Sequence, residues 1–175
     1  MKKLKNKDLQ RINVEEFKSA KKTPITIVLD NVRSALNVGS VFRTSDAFLI
    51  ENIILCGITA QPPNKDIRKA ALGATDSVNW SFEKNTIDAV SKLKEDGYHI
   101  MGIEQADKSS KLNDFTLHNK PIAIIMGNEV KGVSQEVIDI CDEVMEIPQF
   151  GTKHSLNISV TTGIVIWELW RRLNG

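Results

Sequence analysis

Residues 121–133, PIAIIMGNEVKGV, decide the fold class. Ile122–Met126 is apolar at every position and too short for a buried helix, so it suits a strand covered on both faces, as in a parallel sheet lined by helices. The same kind of run recurs as ITIVL at 25–29, NIIL at 52–55 and YHIMGI at 98–103, with weaker candidates at 78–82 and 143–147. Helical patterns lie between them. Val38–Phe48 carries apolar residues at helical spacing. Thr86–Asp96 aligns Ile87, Val90 and Leu93 before Gly97, where a C-terminal cap belongs. Ser134 is a suitable N-cap for 134–140. Leu156–Leu173 is apolar on more than one side, which predicts a buried or interface helix. Strand–helix alternation of these lengths predicts one α/β domain with a mostly parallel sheet and helices on both faces.

Composition agrees with one globular domain: 175 residues, 41% apolar, 26% charged, with no repeat or low-complexity stretch. No apolar run approaches the ~18 residues of a membrane span, and MKKLKNKDLQRINVEEF lacks the apolar centre of a signal peptide. A cytoplasmic protein is expected. Cys56 and Cys141 form no CxxC, and His99, His118 and His154 are scattered, so neither a disulfide framework nor a metal site is expected. The net charge of +1 conceals an asymmetry. Residues 1–22 carry eight basic and three acidic groups, whereas the remainder carries fifteen basic and nineteen acidic. The first 22 residues therefore read as a basic, partly helical arm suited to phosphate, and 23–175 as the folded domain.

In parallel α/β sheets ligands bind beyond the carboxyl ends of the strands. The loops to search are then 30–37, 104–110, 127–132 and 148–155. In DNVRSALNVGSVFRT (30–44), Asn37 could cap the next helix, Gly39 permits close approach of backbone or ligand, and Arg43 could reach back toward the helix start, where anions bind. In MGNEVKGV (126–133), Gly127 and Gly132 permit tight turns and Glu129 supplies a carboxylate. In IPQFGTKHSLNISV (147–160), the polar cluster Ser155–Asn157 leads into an apolar segment and needs partners, either as a helix cap or at a ligand. Each segment alone reads as readily as a turn or cap. Phosphate-loop, nucleophile-elbow, HExxH and GxGxxG patterns are absent from the sequence.

Together and in this order, the three segments resemble the SpoU (TrmH-like) family of RNA ribose 2′-O-methyltransferases. Asn37, Gly39 and Arg43 match its first motif; Gly127, Glu129 and Gly132 its second; Ile147, Pro148, Gly151 and Ser155–Val160 its third. The resemblance runs from about Pro24 to the C-terminus and includes Lys69–Ala74, with Gln149 where many relatives have Met. It implies an α/β knot, in which the C-terminal segment threads a loop, and a homodimer whose interface would cover Trp167 and Trp170. It implies S-adenosyl-L-methionine as cofactor, held at Gly127, Ile147 and Leu156, with Ser155 and Glu104 as further contacts. Arg43 would bind phosphate and stabilise alkoxide charge, Asn37 and Asn157 would orient the hydroxyl, and Glu129 would hold loop backbone or Arg43.

RNA is the expected partner, contacted by Arg11, Lys21, Lys22, Arg33 and Lys153. With about 22 residues before the first strand, the chain resembles tRNA-modifying relatives more than rRNA-modifying ones that carry an extra N-terminal domain. The third motif and the WELWRR ending favour a D-loop guanosine. Two alternatives stand beside this reading: a knotted RNA-binding module without catalysis, and a knotted enzyme that methylates a base nitrogen.

Overall fold

A computed structural model describes residues 1–5 and 8–175; Lys7, counted above in the basic arm, lies outside the described residues. Seven strands form one sheet: β1 (Thr23–Asp30), β2 (Ile50–Cys56), β3 (Trp80–Glu83), β4 (His99–Ile103), β5 (Ser110–Lys111), β6 (Ile122–Met126) and β7 (Glu143–Glu146). Their spatial order is β3-β2-β1-β6-β4-β7-β5 and every pairing is parallel, so the expected mostly parallel sheet is wholly so. The central strands β1 and β6 contain the most apolar runs, Ile25–Leu29 (interrupted only by Thr26) and Ile122–Met126. All five residues of β6 are buried, and so is every residue of β1 except Pro24.

Alternation along the strands divides the core into two layers. Ile25, Ile27, Leu29, Ile53, Leu55, Ile122, Ile124 and Met101 face one side. There they meet α1 (Val14–Ser19), α2 (Ala35–Ala47), α3 (Lys65–Ala71), α4 (Ala74–Ser77) and α7 (Ile158–Asn174) through residues such as Phe17, Phe42, Ile67 and Ile166. Val28, Ile54, Ile100, Ala123 and Ile125 face the other side, against α5 (Thr86–Glu95) and α6 (Gln135–Ile138). Cys56 belongs to this second layer, and burial pushes its thiol up to about 12. It is an inert packing group. No helix is long and apolar enough to cross a membrane among the described residues.

Several boundaries differ from the sequence reading. Helix α2 begins three residues earlier, because Ser34, not Asn37, is its N-cap: the Ser34 hydroxyl accepts the Asn37 N–H at 3.3 Å. Ser134 precedes α6, but its hydroxyl makes no cap bond. Gly39 admits another backbone, not a ligand, since a Cβ there would lie 2.5 Å from the Ile67 carbonyl oxygen of α3. The short α3 and α4, the two-residue β5 and the 3-10 turn Leu112–Asp114 left no periodic apolar signal, being too brief to show one.

Segment 104–121 leaves β4, runs outside β7 to form the edge strand β5, and returns to β6. Helix α7 then packs back toward α2, with Arg172 donating to the carbonyls of Phe115 and Asn113 at 2.5 and 2.7 Å. Helix α7 is thereby fastened to the segment that joins β4 to β6.

Candidate functional site

A cavity of about 820 Å³ opens at the carboxyl ends of β4, β6 and β7, where the loop analysis placed ligand chemistry. Its floor is apolar (Ile103, Met126, Met145, Ile158) and its rim comes from Glu104, Gly127, Glu129, Ile147 and Ser155–Asn157. The volume is that of a small-molecule pocket, typically roughly 300–1,000 Å³, and the lining mixes apolar and polar side chains.

The loop after β6 is shaped by close backbone approach. Asn128 N donates to Gly132 O at 3.0 Å and Gly132 N to Asn128 O at 2.9 Å, closing a narrow hairpin. Gly132 has φ +70° and lies so near Glu104 that a Cβ would fall 2.0 Å from Oε2; a Cβ on Gly127 would meet the Gly132 carbonyl carbon and Val133 nitrogen at 2.2 Å. Both glycines are required sterically. Glu104 ties the loop after β4 to this hairpin, its carboxylate accepting from Gln105 N at 2.9 Å and Val133 N at 3.0 Å. Asn128, which sequence reasoning passed over, accepts from Val130 N and Lys131 N and donates to Asn31 O at 2.7 Å. Its signal was available: an Asn directly after a strand–Gly junction often closes such a turn.

Three remote segments meet through side chains. Glu129 accepts the N–H groups of Arg33 and Ser34, both at 2.9 Å, and Nδ2 of Asn37 at 3.1 Å. The anion at the start of α2 is therefore this carboxylate, and Glu129 holds loop backbone, not Arg43. Asn157 donates from Nδ2 to Asn37 Oδ1 at 3.2 Å. It also caps α7, accepting Ser159 N and the Ser159 hydroxyl at 2.9 and 2.7 Å. A continuous relay thus runs Ser159–Asn157–Asn37–Glu129. It leaves Asn37 one amide N–H and one acceptor lone pair, and Asn157 one N–H, for a ligand.

Partial burial raises the carboxyl pKa of Glu129, but the N–H groups of Arg33 and Ser34, with the Asn37 amide, outweigh it and hold the group below its ordinary 4.5. A depressed native pKa means that the tether contributes above the ordinary value and is lost as pH falls through the native one. Carboxyl-carbon NMR is expected to show Glu129 titrating below pH 4.5, with the midpoint moving up in Asn37→Ala. A midpoint at or above 4.5 in the unaltered chain would contradict the tether.

The other expected residues lie as follows. Gly127, Ile147, Ser155, Leu156 and Glu104 all line the large cavity, and Arg33 shares a smaller neighbouring cavity of about 350 Å³ with Ser34, Asn37 and Glu129. Arg43 lines neither. It is exposed on α2, six residues beyond Asn37, hence about 9 Å along the axis and about 120° around it. Arg11, Lys21 and Lys153 are exposed. Lys22 is committed locally: its ammonium donates to the carbonyls of Phe17 and Ala20 at the end of α1 and sits 4.5 Å over the Phe17 ring.

The sequence model described as "SpoU rRNA Methylase family" matches residues 24–167. The tRNA (guanosine(18)-2′-O)-methyltransferase of Borreliella burgdorferi is 30% identical over 95% of this chain and 75% of its own length. The 23S rRNA (guanosine-2′-O-)-methyltransferase of Nitrosomonas europaea is 32% identical over 85% of this chain but only 56% of its own. The AdoMet-bound rRNA methyltransferase of Sinorhizobium meliloti superposes with a TM-score of 0.82 at 29% identity, covering 89% of this chain and 59% of that one.

Proposed function

The chain belongs to the SpoU rRNA methylase family, whose relatives described above are tRNA and rRNA methyltransferases, and from that premise we propose that it methylates a ribose 2′-hydroxyl of RNA. The family uses S-adenosylmethionine. The favoured substrate is tRNA at a D-loop guanosine, with rRNA the competing one. The observation that carries the reading is the relay Glu129–Asn37–Asn157, which ties the first motif segment, at the smaller cavity, to the second and third, which line the large one.

The cavity fits the cofactor: an apolar floor for a nucleoside, polar loop backbone at Gly127, Ile147 and Leu156, and carboxylate oxygens at Glu104. When bound, S-adenosylmethionine supplies a methyl group already activated on sulfonium. The chain must then position the hydroxyl and manage its proton and developing charge. Asn37 and Asn157, with their remaining hydrogen-bonding capacity, orient the hydroxyl. Arg43 is permanently cationic, so it binds the adjacent phosphate and stabilises alkoxide character while a phosphate oxygen takes the proton.

A second copy of the chain brings Arg43 to the reaction. Val160, Ile164 and Trp167 form an apolar stripe on α7, exposed by 52%, 38% and 51%, and Trp167 stacks on Trp170 with centroids 5.6 Å apart. Arg43 lies on the exposed face of neighbouring α2 with Leu36 and Ser40. A homodimer through these helices buries the stripe and presents Arg43 of one protomer to the other's cavity. Sedimentation is expected to find dimers for the unaltered chain and monomers for Trp167→Glu; a monomeric unaltered chain at micromolar concentration would contradict the arrangement.

Residues 1–22 act as the RNA-contacting segment, through Arg11 and Lys21, anchored by Phe17 of α1 to the core of the catalytic domain at 23–175; Arg33 and Lys153 extend the contact across the cavity mouth. The C-terminal segment threads the 104–121 loop as a trefoil knot, supported by the Arg172 bonds to that loop. The protein works in the cytoplasm, and the transfer requires no metal. The test is incubation of unmodified tRNA and rRNA with the protein and methyl-labelled donor, followed by nuclease digestion and mass spectrometry. Label on ribose, chiefly in tRNA guanosine, is expected; label on a base, or none, would overturn the reading.

A further inference from the structure

At the amino ends of β4, β6 and β7, opposite the large cavity, the sheet carries a second group of chemically capable side chains. His99 opens β4, His118 precedes β6 and Glu143 opens β7. One ligand atom from each lies within 4.8 Å of the others. The two imidazole rings are 4.3 Å apart between centroids, and His99 Nε2 is 3.6 Å from Glu143 Oε2, longer than a hydrogen bond.

That nitrogen is the informative atom. His99 Nε2 is buried without a hydrogen-bond partner, one of three such side-chain atoms among the described residues. A buried nitrogen of this kind costs stability unless something occupies it. Burial and the neighbouring His118 favour the neutral imidazole, the form that binds metals. Asp142, the nearby carboxylate, is committed elsewhere, accepting Ile100 N at 2.9 Å and pairing with Lys94 at 3.0 Å. Glu143 is thus the carboxylate left facing the two imidazoles. The Phe115 ring lies 5.9 Å from His118 and 6.4 Å from His99, an apolar wall on one side of the cluster.

We infer that His99, His118 and Glu143 form a binding site for a divalent transition metal of the zinc type, remote from the methyl-transfer cavity. Two imidazoles, one carboxylate and a water make a common zinc set, with bonds of about 2.0–2.2 Å and ligand atoms about 3.3 Å apart when tetrahedral. The three ligand atoms must therefore draw together by at most about 1.5 Å, which exposed His118 on its loop can supply. The bound ion staples the segment preceding β6 to the starts of β4 and β7. That segment is also the one held by Arg172 of α7.

The test uses the untagged full chain, dialysed against chelator and titrated calorimetrically with zinc chloride alone, with thermal unfolding in parallel. One equivalent per chain and a raised Tm are expected. His118→Ala and Glu143→Gln should each weaken binding by at least about tenfold. Because His118 is exposed, His118→Ala should melt like the metal-free parent. Absence of zinc binding by the parent, or equal affinity in His118→Ala, would overturn the site.

Discussion

Arg43→Ala is expected to bind S-adenosylmethionine as the unaltered protein does and to lose turnover by at least about 100-fold, the scale seen when one charge-stabilising donor is removed from a transition state. The two halves of this expectation come from separate observations. Arg43 lines neither cavity, so its removal leaves the donor site intact. Its exposure on α2 gives it no packing duty whose loss would unfold the chain. What remains is a permanent cation on the exposed face of α2, which the proposed dimer would present to RNA. Calorimetry with the donor and a single-turnover methylation assay would separate the two quantities. Near-normal turnover would remove Arg43 from the mechanism, and Arg43→Lys should restore only part of the rate, since an ammonium lacks the planar fork that grips phosphate.

Gly127→Ala is expected to have a different signature: donor affinity falls by roughly 5- to 150-fold, the equivalent of about 1–3 kcal/mol of overpacking. The added methyl would meet the Gly132 carbonyl carbon and the Val133 nitrogen at 2.2 Å. Both are backbone atoms of a hairpin closed by the paired Asn128–Gly132 bonds, so no flexible side chain can yield. The loop must open, and its opening carries Glu129 away from Arg33, Ser34 and Asn37. Turnover should fall with affinity. Unchanged donor binding in a folded Gly127→Ala protein would show that this loop is not part of the donor site.

The central strands were legible because burial on both faces forces them to be almost wholly apolar, as Ile122–Met126 is throughout and Ile25–Leu29 is except for Thr26. The same logic pointed to the loops beyond their carboxyl ends. What connects those loops was not legible. Glu129 and Asn37 are 92 positions apart and Asn37 and Asn157 are 120 apart, so their bonds exist only once the sheet has ordered its strands. Asn37 looked like a helix cap because Asn and Ser are near-equal caps; Ser34, three residues earlier, holds that role and frees the Asn37 amide for the relay. Arg43 could be placed on a helix but not oriented relative to a cavity built by other segments. The His99–His118–Glu143 cluster escaped for a related reason: its members come from two strand starts and a loop, with no ligand spacing along the chain.

A crystal structure of the chain with S-adenosylhomocysteine tests the central proposition most directly. The adenosine should lie on the Met126–Met145 floor against Gly127, Ile147 and Leu156, with its sulfur toward the Asn37–Asn157 pair. Density for the ligand at any other place, or an empty cavity under saturating ligand with the Gly127–Gly132 hairpin unchanged, would contradict it.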